Sequence, residues 1–111
     1  MLPEIHSLAS TGDSHLGESL VELVHGLRFR AESIVSRGTA SPPGFWYDQD
    51  LPEWVVLLTG TASLEFESGT LHLNAGDWLT IPANLRHRVA ATSADATWLA
   101  LHYETDAGRE I

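Results

Sequence analysis

Short runs in which apolar and polar residues alternate, separated by turn residues, constrain the fold of this chain more than any other feature. Such alternation is typical of β-strands with one buried face. Residues 62–67 alternate in this way, and Ser68-Gly69 can turn the chain as a hairpin before the pattern resumes at Leu71. Residues 27–32 alternate as well, and the apolar members, which we expect to face the core, are Leu27, Phe29 and Ala31.

Further strands are predicted along the rest of the chain. Residues 54–58 are continuously apolar, which favours a strand buried on both faces. Three more strands are predicted over residues 78–81, 86–91 and 97–103. In a chain of 111 residues, this many short strands with close turns indicate one domain with the architecture of an all-β sandwich or small barrel.

The N-terminal part carries a different pattern. Apolar residues at helical spacing predict a short helix over residues 14–25, and these residues are Leu16, Leu20, Leu23, Val24 and Leu27. Gly26 can end this helix. We therefore expect a single domain that consists of an N-terminal segment, residues 1–26, and a β-barrel, residues 27–111.

The composition excludes several classes of function. The sequence contains no cysteine, which excludes disulfides, thiolate metal ligands and a cysteine nucleophile. The formal net charge is −9 and the few basic residues are dispersed, so we expect no binding to nucleic acid or to anionic membranes. No apolar run approaches the roughly 20 residues that cross a bilayer, and the first residues lack the basic start of a signal peptide. We therefore expect a cytoplasmic protein.

Two segments carry glycine, proline, glutamate and histidine at a characteristic spacing. In the first segment, six residues separate Glu53 from Gly60. The second segment contains, in order, Gly76, Pro82, Asn84 and His87. This spacing resembles the two motifs of the cupin superfamily, in particular its small single-domain type-2 barrels. The resemblance covers about residues 27–103 and implies an all-β double-stranded β-helix, or jelly-roll, here with a short N-terminal helix.

The chain departs from the cupin motifs at several positions. A histidine pair, His-x-His, usually precedes the motif glutamate. Depending on the spacing, its places fall on Trp46 and Asp48 or on Tyr47 and Gln49, so neither alternative contains histidine. Asn84 takes the place of a glycine at a corner. Because asparagine tolerates a left-handed backbone better than most residues, we expect the corner to form.

The resemblance places Glu53 and His87 at metal-ligand positions, and Asp48 replaces one ligand histidine. These three side chains could bind a divalent ion such as Mn, Fe, Zn or Ni, with open positions for water or substrate. If the arginines that flank His87 reach solvent, its imidazole faces inward. The candidate ligand-binding residues around this set are Trp46, Tyr47, Gln49, Arg86 and His102.

The residues alone leave a structural alternative open for each of these candidates. In that alternative, residues 48–50 form a solvated loop and Glu53 pairs with an arginine. His87 is then neutral and bonded to a backbone carbonyl or a carboxylate, and His102 is a packed or surface side chain.

Two functions remain open at this point. The first is a metal-dependent enzyme that acts on a small molecule, for which no catalytic residue is assigned. The second is a non-catalytic, metal-free cupin that binds or senses a small ligand, and the missing histidine pair favours it. A homodimer, in which Trp98 or the strand near Phe29 pairs between subunits, is compatible with either function and is implied by the resemblance.

Overall fold

The computed structural model describes residues 1–8, 13–15 and 18–105. The described residues form nine β-strands, and the all-β prediction is therefore confirmed. The strands are β1 Asp13–His15, β2 Glu18–His25, β3 Phe29–Val35, β4 Glu53–Thr59, β5 Thr61–Phe66, β6 Gly69–Asn74, β7 Trp78–Ile81, β8 His87–Thr92 and β9 Thr97–Tyr103.

The strands form two antiparallel sheets. The larger sheet has the order β1-β2-β3-β9-β4-β7, and the smaller one has the order β6-β5-β8. The core lies between them, because both sheets contribute side chains to one buried apolar cluster. Its members from the larger sheet include Val55, Leu57, Ile81 and Trp98, and those from the smaller sheet are Ala62, Leu64, Leu73 and Val89.

Two turns depend on residues that tolerate a left-handed backbone. Gly60 connects β4 to β5 with a φ of 80°, and a Cβ atom there would lie 2.3 Å from Ser93 Oγ and 2.9 Å from Ala96 Cα. Only glycine fits without displacing these neighbours. Asn84 adopts a φ of 62° at the corner before β8, so the corner forms as expected.

The predicted N-terminal helix over residues 14–25 is wrong. Glu18–His25 is instead the strand β2, which pairs with β1 on one side and β3 on the other. A β-bulge between Glu22 and Val24 shifts the alternation by one residue. The apolar residues beside the bulge do not share one buried face, since Leu23 is 38% exposed and Val24 is 52% exposed, so their helical spacing in the sequence does not reflect a helix. The described residues contain no helix long and apolar enough to span a membrane.

The strand predicted at residues 27–32 exists, but the predicted direction of its faces is wrong. Leu27 is fully exposed and Phe29 is 42% exposed. The opposite face of β3, with Arg30, Glu32 and Ile34, lines a cavity inside the barrel. Charged side chains point inward on this strand because they face an internal polar site rather than the apolar core.

Candidate functional site

A cavity of about 210 Å³ lies between the two sheets, beside the apolar core. Its apolar wall is formed mainly by aliphatic side chains and Trp98. Eight polar side chains from separate segments line the remainder: Glu18, Arg30, Glu32, Tyr47, Gln49, Glu53, His87 and His102. Ligand cavities for drug-sized molecules measure about 300–1,000 Å³, so this cavity suits a smaller molecule.

Glu53 and His87 form the centre of the polar wall. They begin β4 and β8, respectively, and the His87 Nε2 atom lies 3.7 Å from Glu53 Oε1. The His87 Nδ1–H group donates to the carbonyl oxygen of Leu85 at 2.9 Å, so Nε2 is the ring nitrogen presented to Glu53. Both side chains are buried.

The surroundings of His87 raise its pKa. Burial by itself disfavours the charged imidazolium, but the hydrogen bonds and negative charges around the ring, those of the Glu53 carboxylate first among them, together outweigh it. The Leu85 carbonyl and the negative charge of Asp48 act in the same direction as Glu53. A carboxylate and an imidazole in this arrangement can exchange a proton with a bound molecule.

His102 extends this pair into a row of ionisable groups. It lies directly opposite Glu53 in the pairing of β4 with β9, with its Nε2 atom 4.0 Å from Glu53 Oε2. The same nitrogen donates to Glu32 Oε1 at 3.1 Å, and this hydrogen bond lowers the pKa of Glu32. Arg30 Nε lies 3.6 Å from the other oxygen of Glu32. Basic and acidic groups therefore alternate along the wall from Arg30 to His87.

Tyr47 and Gln49 approach from the segment that precedes β4. The backbone N–H of Tyr47 donates to the carbonyl of His87 at 2.6 Å, and the Tyr47 ring stacks on the His87 imidazole with centroids 5.5 Å apart. Burial, together with the carboxylates of the cavity, raises the pKa of Tyr47 to about 12, so its hydroxyl stays a donor at neutral pH. Gln49 Oε1 is buried and accepts no hydrogen bond within the described part of the chain.

Glu18 occupies the other end of the cavity and belongs to a separate network. Its Oε2 atom accepts a hydrogen bond from Ser36 Oγ at 3.2 Å. Ser36 Oγ in turn accepts the indole N–H of Trp98 at 2.9 Å. Burial, with a smaller contribution from the charge of Glu53, raises the pKa of Glu18.

Comparison with known proteins places this barrel in a family. The sequence matches the family described as Cupin domain over residues 32–102. The chain belongs to the cupin family. No curated protein sequence matches the chain.

Solved structures share the cupin fold over nearly the whole chain. A proposed mannose-6-phosphate isomerase from Ralstonia eutropha JMP134 is 38% identical, with a TM-score of 0.82 over 93% of this chain and 100% of that one. A cupin 2 conserved barrel domain protein from Salinispora arenicola CNS-205 is 19% identical, with a TM-score of 0.75 over 95% and 92%. KdgF from Halomonas sp. is 18% identical, with a TM-score of 0.74 over 92% and 94%. At such low identities, the last two show the fold alone.

The structure shows which of the two possible registers for the cupin histidine pair faces the cavity. Tyr47 and Gln49 line it, whereas Trp46 and Asp48 are not among the lining residues. Asp48 is exposed, although its charge still reaches His87. The two residues that take the inward places therefore offer a phenol and an amide.

The side chains present do not fit the metal centre that the resemblance implies. At residues 1–8 and 18–105, no three His, Asp or Glu side chains are placed to hold a metal ion. Of the set Asp48, Glu53 and His87, only the last two meet in the cavity. The Glu53 carboxylate has two imidazoles as neighbours, those of His87 and His102.

The remaining predicted ligand-binding residues divide between the cavity and the surface. His102 is buried in the cavity wall, with 3% of its surface exposed. Arg86 instead lies over the ring of Trp46, with its guanidinium carbon 5.3 Å from the ring centroid, and neither residue lines the cavity. Their predicted contacts with a ligand stay predictions.

Three cavity residues were missed from the sequence: Glu18, Arg30 and Glu32. Arg30 and Glu32 alternate with Ala31. This pattern correctly predicted a strand, but it also predicted that the two charged side chains face solvent. Glu18 lay within the predicted helix, and no motif marks it. A charged residue on a strand gives no sign of its direction when the interior itself is polar.

Proposed function

We propose that this cupin binds a small molecule inside its barrel without the help of a metal ion. The observation that carries this proposal is the convergence of hydrogen-bonding side chains from separate segments on one buried cavity. Buried polar atoms normally have partners, and an unpaired one costs about 1–3 kcal/mol. A bound molecule with a donor group would supply the partner that Gln49 Oε1 lacks in the described structure.

The polar groups of the cavity offer both donors and acceptors of hydrogen bonds to a bound molecule. The Tyr47 hydroxyl donates a hydrogen bond and Gln49 accepts one. The pair formed by Glu53 and His87 can do either, depending on its proton. A molecule with hydroxyl or amino groups would match this mixture, and the aliphatic wall would contact its carbon skeleton.

A phosphorylated sugar is not the proposed ligand, although the neighbour from Ralstonia eutropha is a proposed mannose-6-phosphate isomerase. A phosphate group is usually bound by arginine, lysine or several backbone N–H groups. Arg30 supplies the only guanidinium among the lining residues, and Glu32 already pairs with it. The same wall carries three carboxylates, which repel a phosphate.

A thermal-shift screen of purified protein against small metabolites tests this proposal. A ligand present at 100 times its Kd stabilises the folded state by about 2.7 kcal/mol. We expect the Gln49→Leu variant, which removes the acceptor that Gln49 would offer to the ligand, to lose most of the shift. The variant Asp48→Asn, one residue away but outside the cavity lining, should keep it. Equal shifts for both variants would place binding outside the barrel.

Elemental analysis separates this proposal from the metal-dependent enzyme that the resemblance implies. Protein purified without added metal should contain little Mn, Fe, Zn or Ni, and titration should not restore a full equivalent. One equivalent of metal that is lost in the Glu53→Gln variant and retained in Glu67→Gln would overturn the metal-free proposal. Glu67 is a suitable control because it lies on the surface.

The homodimer stays a prediction. Exposed apolar side chains at the turn between β2 and β3, including Leu27 and Phe29, support it because monomers rarely leave such residues clustered in water. Sedimentation at micromolar concentration measures the oligomeric state, and a monomer there would contradict the dimer.

A further inference from the structure

Glu53 is a buried carboxylate that can accept more hydrogen bonds than its neighbours supply. It lines the cavity, with 8% of its surface exposed, and an ionised carboxylate can accept about four hydrogen bonds. Two ring nitrogens lie beside it: His87 Nε2 is 3.7 Å from Oε1, and His102 Nε2 is 4.0 Å from Oε2. Both contacts are longer than the ordinary N–H···O distance of about 2.7–3.2 Å. Each oxygen can therefore accept a further bond from a molecule in the cavity.

The two oxygens of Glu53 belong to one carboxylate, so a molecule that bonds to both must carry two donors on neighbouring atoms. Two hydroxyls on adjacent carbons satisfy this requirement, as do two amino groups. The ring of His87 decides between them. Its surroundings raise the pKa of His87, so Nε2 carries a proton over a wider pH range and can donate.

A hydroxyl group suits the space between the His87 ring and Glu53. Its oxygen can lie about 2.8 Å from both Nε2 and Oε1, which are 3.7 Å apart, and it then accepts from the ring and donates to the carboxylate. A charged amino group cannot accept a hydrogen bond, and it would lie beside a positively charged imidazole. The geometry of this pair therefore favours hydroxyl groups.

The cavity wall changes from polar to aliphatic directly beside Glu53. The next inward side chain along β4 is Val55, and the next one along β8 after His87 is Val89. Ile81 lies opposite Glu53 in the pairing of β4 with β7, and it lines the same cavity. A molecule whose polar end lies at Glu53 therefore has aliphatic side chains around the rest of its length.

We infer that the ligand of this cavity is a small, uncharged 1,2-diol on an aliphatic chain, whose adjacent hydroxyls donate to the two oxygens of Glu53. This inference rests on the proposed function and specifies its ligand class. One hydroxyl also accepts from the His87 ring, and the chain lies between Val55 and Val89. A sugar fits less well, because its further hydroxyls would face aliphatic side chains without partners.

The volume of the cavity limits the length of the chain. A protein cavity of about 150 Å³ accommodates benzene. The cavity here measures about 210 Å³, so it accommodates a ligand of about seven or eight non-hydrogen atoms. Pentane-1,2-diol is a molecule of this size.

Three probes with the same unbranched five-carbon chain test the inference: pentane-1,2-diol, pentane-1,5-diol and xylitol. The two diols are isomers that differ in whether the hydroxyls are adjacent, and xylitol carries a hydroxyl on every carbon. The indole N–H signal of Trp98 in nitrogen-15 NMR spectra is the reporter, because this residue lines the cavity. The Trp98→Phe variant assigns the signal. We expect pentane-1,2-diol to shift it saturably and to bind at least about tenfold more tightly than either other probe.

A matched pair of variants identifies the carboxylate that is responsible. Glu53→Gln replaces one acceptor oxygen by a donor amide, so it should remove the preference for adjacent hydroxyls. Glu67→Gln, the same change at an exposed position, should retain the preference. The comparison of the three probes on the wild-type protein needs no variant, so it stands even if Glu53→Gln folds poorly.

The inference and the proposed function fail in different ways. If pentane-1,5-diol or xylitol binds as tightly as pentane-1,2-diol, the inference is overturned while binding inside the barrel stands. A preference for pentane-1,2-diol that is unchanged in Glu53→Gln overturns the inference as well. If no probe shifts the Trp98 signal up to its solubility limit, the inference also falls, and the metabolite screen then decides the proposed function independently.

Discussion

Ser36 is the residue whose replacement tests the interior polar network most directly. Its side chain is fully buried, with 0% exposed surface, and it directly follows the last residue of β3. The hydroxyl donates to Glu18 at 3.2 Å and accepts the indole N–H of Trp98 at 2.9 Å. The Ser36→Ala variant removes both hydrogen bonds while it changes the side-chain volume little.

The size of the effect follows from the groups that lose a partner. The Trp98 indole N–H is buried, and an unpaired donor in such a place costs about 1–3 kcal/mol. Glu18 faces the cavity, where water can replace the lost donor in part, so we assign it the lower end, about 1 kcal/mol. The free energy of unfolding should therefore fall by about 2–4 kcal/mol. At about 4 °C per kcal/mol, Tm should fall by about 8–16 °C.

Urea unfolding followed by circular dichroism measures this loss, with Ser63→Ala as the matched control. Ser63 also bonds a ring nitrogen through its hydroxyl, to His72 Nδ1 at 2.7 Å, but on the exposed face of the smaller sheet. We expect that control to change the unfolding free energy by less than about 0.5 kcal/mol.

A double-mutant cycle then isolates the bond between Ser36 and Trp98. Trp98→Phe should cost at least about 1 kcal/mol less in the Ser36→Ala background than in the wild type, because the donor is already unpaired there. A loss no larger than that of Ser63→Ala, or strictly additive variants, would refute the reasoning.

Three further predictions concern charge and backbone. Burial raises the pKa of Glu18 above its ordinary value of 4.5, so the stability linked to its neutral form is present below that pH and is lost as the pH rises through the folded-state pKa. The Tm of Glu18→Gln minus that of the wild type should therefore increase from acidic to neutral pH. A difference in Tm that does not change with pH would contradict this. Burial opposes the charged imidazole of His87, but its hydrogen bonds to Glu53 and Leu85 and the nearby carboxylate charges together raise its pKa, so the stability from these interactions is full below 6.5 and is lost as the pH rises through the folded-state pKa. NMR titration of the His87 ring should show a higher pKa in wild type than in Glu53→Gln, and equal values would exclude the pairing. Asn84→Ala should lower the unfolding free energy by about 1 kcal/mol because of its φ of 62°, whereas Asn84→Gly should not, and equal Cm values for these two variants in urea would count against a strained corner.

The strands of the barrel could be predicted where local patterns agreed with the final packing. Residues 62–67 alternate as a half-buried strand should, and β5 and β6 form the hairpin expected around Ser68-Gly69. The strands β7 and β9 have the predicted bounds. In these segments the buried face is apolar, so the alternation that predicts a strand also predicts which of its side chains face the core.

Prediction failed where the interior is polar or the alternation is broken. In β2 the alternation is broken by a bulge between Glu22 and Val24, and the helical spacing of its apolar residues led to the prediction of a helix. On β3, Arg30 and Glu32 point into the cavity while Phe29 faces outward. A prediction that every charged side chain faces solvent fails at a polar cavity. The partners that stabilise these buried charges lie on other strands, so the local sequence does not show them.

The sequence by itself determined the class of fold and the corner at Asn84, since each depends on residues close along the chain or on a motif of known spacing. Only the tertiary structure decided that Asp48 stays outside the cavity lining, that His102 joins Glu53, and that Glu18 faces the cavity. The physical reason is that the stability and the pKa of a charged group inside a protein depend on the groups that surround it. Its surroundings here come from β2, β3, β4, β8 and β9, which meet only when the two sheets pack together.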